Sequence, residues 1–97
     1  MTQAEMKSRL LERSKALECR FEIQFEKKII NERVCFSRPD GVIFSIGTLL
    51  PFCALVVEYA DSAEEAKRNL FEDGDLFYLE EMDEETMYKG MIQEISQ

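Results

Sequence analysis

Glu32 to Ala60 reads ERVCFSRPDGVIFSIGTLLPFCALVVEYA, and this stretch decides the fold. Its punctuation is Arg38-Pro39-Asp40-Gly41, where Pro sets φ at the second turn position and Gly accepts the positive φ that closes a hairpin. Residues 32–37 and 42–46 on either side are rich in branched and aromatic side chains, so two antiparallel strands are expected to meet at this turn. After Pro51, the segment Ala54–Ala60 is apolar on both alternating faces until Glu58, which suits an interior strand covered on both sides.

The same stretch contains the uncharged run Gly41–Val57, 17 residues long. That is short of the ~20 a spanning helix requires. Gly47 and Pro51 also interrupt it, so two buried strands joined by a loop account for it better than a membrane span.

Working outward, the preceding segment admits two readings. Phe21, Ile23 and Phe25 alternate with Glu22, Gln24 and Glu26, the period of a half-buried strand. Phe21, Phe25 and Ile29 equally fit a helical spacing, so residues 21–30 are either a strand or an extension of the first helix. The route of the chain around Lys27–Asn31 is not legible. The first helix itself is expected over residues 2–19. Thr2 and Glu5 have the capping-box spacing, and Met6, Leu10, Leu11 and Leu17 form a narrow apolar stripe.

On the C-terminal side, Asp61 and Ser62 cap a helix expected over residues 62–72, with Ala63, Ala66 and Leu70 inward and Gly74 ending it. A short strand is expected at Leu76–Leu79. Asp83 then caps a last helix over Glu84–Ile95, with Met87, Met91 and Ile95 one turn apart and Glu84 and Glu85 suiting the helix dipole. The whole is an α+β fold of one domain, residues 1–97. An antiparallel sheet of about four to five strands carries the N-terminal helix and two C-terminal helices. Leu10, Leu17, Phe44, Leu55, Val57, Leu70 and Met91 are the expected core.

Charge is distributed unevenly. Residues 1–40 hold nine basic and seven acidic side chains, whereas residues 41–97 hold three basic and thirteen acidic ones, for a net charge of −8. The acids Glu58, Asp61, Glu64, Glu65, Glu72, Asp73, Asp75, Glu80 and Glu81 form a candidate partner-binding face. Such a field disfavours direct nucleic-acid binding, which rests on neutralising phosphates with Lys and Arg, and favours a basic protein partner.

The chain has no histidine, which removes the usual general base and the commonest zinc ligand. Asp73-x-Asp75 begins like a calcium loop but lacks the glycine at position six. No catalytic, cofactor or metal residues are therefore assigned, and an enzyme is not expected. Cys19, Cys35 and Cys53 are odd in number and set no paired motif, and each has apolar neighbours, so buried free thiols are expected. With Met1–Glu18 charged throughout and lacking a secretory apolar stretch, this points to a cytoplasmic protein without a membrane segment.

The function these features support is a small interaction or regulatory module. Two alternatives stand beside it: an immunity- or inhibitor-type protein that blocks a basic toxin or nuclease, and a carboxylate-dependent enzyme or ligand-binding domain. A two-fold dimer is also expected, formed through the less charged strands or the first helix, since sheet edges call for pairing or protection.

Overall fold

The computed structural model describes residues 2–97. Its elements run α1 (Gln3–Gln24), β1 (Glu26–Ile30), β2 (Arg33–Ser37), β3 (Ile43–Leu49), a 3-10 turn (Leu50–Phe52), β4 (Ala54–Ala60), α2 (Ala63–Lys67), β5 (Glu72–Tyr78) and α3 (Glu84–Ile95). The five strands form one antiparallel meander in the order β1-β2-β3-β4-β5. The expected α+β architecture is therefore present, with the N-terminal helix and two later helices. The uncharged run 41–57 is β3, the 3-10 turn and most of β4. Among the described residues no helix is long and apolar enough to cross a membrane.

The hairpin between β2 and β3 closes as its residues dictate. Gly41 takes φ +92° and donates its N–H to Arg38 O (3.0 Å), while Asp40 Oδ1 accepts from Val42 N–H (3.2 Å). The Val42 N–H first, and then the Arg38 guanidinium, hold the Asp40 carboxyl below its usual range. Ladder pairing beyond the turn is brief, limited to Phe36 with Phe44 and Ser37 with Ile43. Where the strands part, Ser45 Oγ donates to Val34 O (2.9 Å) and stands in for the missing ladder.

The segment before β2 corrects the strand reading of 21–26. Residues 21–24 are the last turn of α1, whose Leu10, Ser14, Leu17 and Phe21 follow the helical spacing onto the sheet. Ile23, inward in a strand, is 86% exposed. Phe21 and Phe25, one turn apart, close an aromatic cluster with Phe36 and Phe44, with ring centroids 4.9–6.2 Å apart and mostly edge-to-face. The strand lies one step later, at Glu26–Ile30. It turns into β2 through Asn31 and Glu32, at φ +51° and +65°, the two positive values a type I′ turn requires. Asn-Glu is a weak signal for that turn because Glu pays a steric penalty there, which is why the connection could not be read.

The second correction concerns residues 62–79. Ser62 caps α2 by accepting from Glu65 N–H (3.2 Å), as expected, but the helix ends at Lys67. Asn69 adopts φ +60°, Asn69 N–H donates to Ala66 O (3.0 Å), and Leu70 N–H donates to Glu65 O (2.9 Å). Those two bonds are a Schellman ending with Asn in the left-handed position. Leu70 is consequently outside the helix, 47% exposed, and not core. Gly74 does not end the helix but lies inside β5, which starts at Glu72 rather than at Leu76.

The remaining expected core residues, Leu10, Leu17, Phe44, Leu55, Val57 and Met91, are buried. They belong to the layer between the sheet and α1 with α3. On the opposite face Ile30, Cys35, Ile43 and Ala60 pack with Ala66 of α2, so β4 is covered on both sides. Of the thiols expected to be buried, Cys35 is buried, Cys53 is half-buried and Cys19 is exposed on α1. Its helical neighbours Leu17 and Phe21 point to the sheet, so sequence adjacency was a poor guide to its face.

Candidate partner cleft

β4 and β5 carry four of the nine candidate acids, Glu58, Glu72, Asp73 and Asp75, and their register sorts the group. Glu72 lies opposite Tyr59, and Tyr78 opposite Ala54. β5 therefore separates the acids into two groups about 20 Å apart, at ~3.3 Å per residue. Asp61, Glu64 and Glu65 at the start of α2 lie at the same end as Glu72 and Asp73. Glu80 and Glu81 follow β5 and lie at the other end. The nine acids thus do not gather in one cluster.

Glu58 is withdrawn from the group. Its Oε2 accepts from Arg33 Nη2, while Arg33 Nε donates to Ser45 Oγ (3.1 Å) and the guanidinium stacks 4.1 Å above the Phe71 ring. Gly47 makes room for this pair, because a Cβ there would come within 2.8 Å of Glu58 Oε2. Arg33 thereby links β2 to β4 across β3 and fixes Phe71 beneath it.

Asp75 belongs to a second arrangement. A bulge opposite Val57 spans Gly74 and Asp75, and Asp75 N–H donates to Glu94 Oε1 (2.7 Å). Tyr59 Oη donates to Glu94 Oε2 (2.5 Å), so one carboxylate on α3 is held by β4 and β5 together. Burial, followed by the Glu94 carboxylate, pushes the Tyr59 hydroxyl well above its usual range. A Cβ at Gly74 would overlap the Glu94 carboxylate, which explains glycine inside this strand. Arg38, Tyr59, Gly74, Asp75, Glu94 and Gln97 line a shallow cleft of about 370 Å³ there. Within its lining, both Glu94 carboxylate oxygens are taken, by Tyr59 Oη and by the Asp75 N–H.

The adjoining cleft is different in kind. Tyr59, Asp61, Glu65, Leu70, Phe71 and Glu72 line about 320 Å³. Its floor is the exposed Leu70 and half-buried Phe71, and its rim carries three carboxylates. Glu65 Oε2 also accepts from Asp61 N–H (3.2 Å), which sets the spacing of two rim residues. The acidic rim is legible in the sequence but the floor is not, because a helix over residues 62–72 would turn Leu70 inward. The available signal was Asn69, one of the few residue types that take the left-handed conformation easily.

Among the described residues, no three His, Cys, Asp or Glu side chains converge as metal ligands would. Compared with known protein families, curated proteins and solved structures, the chain matches none.

Proposed function

We propose that the protein is a non-catalytic interaction module that receives a Lys- or Arg-bearing segment of a basic partner protein in the Leu70–Phe71 cleft. One observation carries this reading: the exposed Leu70 and the half-buried Phe71, left outside α2 by its early end, are ringed by Asp61, Glu65 and Glu72. The aliphatic stem of Lys or Arg packs on an apolar floor while its charged head stays with carboxylates at a wet rim. The net charge of −8 steers a basic partner towards the molecule and repels phosphate backbones and anionic membranes. A cytoplasmic setting fits the three free cysteines, including the exposed Cys19.

The test is a titration with a short arginine-rich peptide, followed by NMR of the labelled protein. The reading expects the signals of Tyr59, Leu70, Phe71 and Glu72 to shift in a salt-sensitive manner, while those of Glu80 and Glu81 stay near their free positions. Equal shifts at both acidic ends would mean unspecific charge attraction, and no shift would remove the basic partner.

A further inference from the structure

The two edges of the sheet are finished differently. At β5 the ladder is bulged, the Asp75 N–H is already taken by Glu94, and Glu72, Asp73 and Asp75 repel a second copy of the same strand. These are recognised ways of blocking an edge. β1 has none of this irregularity: all five residues pair in unbroken register with β2, Glu26 with Ser37 through Ile30 with Arg33.

The two-residue turn at Asn31-Glu32 fixes which backbone groups are free. It makes Ile30 and Arg33 a hydrogen-bonded pair, so by alternation Lys28–Cys35 and Glu26–Ser37 are bonded pairs too. The N–H and C=O groups of Lys27 and Ile29 therefore point away from β2. Ile29, at the centre of this edge, is 61% exposed.

Charge around this edge is balanced, unlike the rest of the molecule. Lys27 pairs with Glu22 of α1 (3.6 Å) and Lys28 with Glu26 (3.8 Å). The Glu18 carboxyl is half-buried facing Lys27 and Lys15, and its burial outweighs both lysines and raises its pKa. Three lysines and three glutamates cancel at β1, while the whole chain carries −8. A second copy can approach this edge without the repulsion it would meet at β5.

We propose that the protein forms a two-fold dimer in which β1 pairs antiparallel with β1 of a second copy, Ile29 against Ile29, joining two five-stranded sheets into one. In this register the outward N–H and C=O of each Ile29 bond to the other, and the two exposed isoleucines cover one another. Lys28 falls opposite Ile30 of the second copy. Centring the pair on Lys28 instead would set like charges face to face, which is unfavourable.

Light scattering of the full chain at tens of micromolar, with amide exchange by mass spectrometry, tests this. The wild-type mass is expected near twice 11.3 kDa, with protection at Lys27 and Ile29 that fades on dilution. Ile29→Lys is expected to give a folded monomer by circular dichroism, while Tyr78→Lys, exposed on the opposite edge strand β5, keeps the dimer. A wild-type mass of 11.3 kDa throughout the concentration range would overturn the proposal. So would a folded Ile29→Lys that keeps the dimer mass, or dilution-independent exchange at Lys27 and Ile29.

Discussion

The two faces of the sheet are built from different materials. Towards α1 and α3 lies a dry layer in which Phe21, Phe36 and Phe44 are fully buried and Leu17, Leu55, Met87 and Met91 fill the gaps. Polar ties on that side sit at its margins: Arg20 pairs with Glu85 (2.7 Å) over the Tyr88 ring, and Arg13 donates to Met82 O (3.0 Å). Towards α2 the buried cluster is small, and a charged latch of Arg33, Glu58 and Ser45 takes the place of apolar packing. The first face has the area to hold the fold together. The second has a five-residue helix whose early end leaves apolar side chains at the surface. On the proposed function, stability and binding fall on opposite sides of one sheet.

The largest expected effect comes from the first face. Phe21→Ala removes the ring shared by Phe25, Phe36, Phe44 and Tyr88 and should lower unfolding free energy by about 3–5 kcal/mol, the usual range for a buried Phe. Urea denaturation measures it, and a loss no greater than that from mutating the latch would erase the distinction between the faces.

On the second face Arg33→Ala should cost about 1–2 kcal/mol, between an exposed ion pair and a hydrogen-bonded buried charge. Both partners keep 20–30% of their side-chain surface exposed, so the loss should shrink in high salt. A double-mutant cycle with Glu58→Gln should recover most of it as coupling; no coupling would leave Arg33 as a packing residue on Phe71.

A smaller change of opposite sign is expected at the tip that this face receives, where Asn31 Nδ2 donates to Lys67 O (2.8 Å). Glu32→Gly relieves a left-handed non-glycine residue, worth ~1–2 kcal/mol, against the ~0.5–1 kcal/mol of chain freedom that glycine adds. A net gain of about 0.5 kcal/mol should appear as a higher urea midpoint. A lower midpoint would show that the Glu32 side chain contributes a contact that outweighs its strain.

These residues also mark what the sequence could convey. The turn at Pro39-Asp40-Gly41, β4 at Ala54–Ala60 and α3 at Glu84–Ile95 were legible because local chemistry and tertiary packing agree there. Residues 21–26 were ambiguous because Phe21 and Phe25 satisfy both periods, and only the aromatic partners on β2 and β3 decide for the helix. The end of α2 was missed because Asn69, not Gly74, takes the left-handed position. That single misplacement hid the floor of the cleft while leaving its acidic rim in plain view. The role of Gly74 was equally hidden, since it answers to Glu94, twenty residues later.

Leu70 is where the division between the faces can be tested most directly. Its side chain is half in solvent, so Leu70→Ala should change stability by no more than about 0.5 kcal/mol, as surface substitutions do. The same sample should bind the arginine-rich peptide several-fold more weakly, because the apolar floor under the cationic side chain is gone. Urea denaturation and peptide titration on one preparation give both numbers. An unchanged midpoint with weakened binding is the predicted result; a midpoint lowered as far as by a core substitution, with binding intact, would contradict it and place Leu70 in the core.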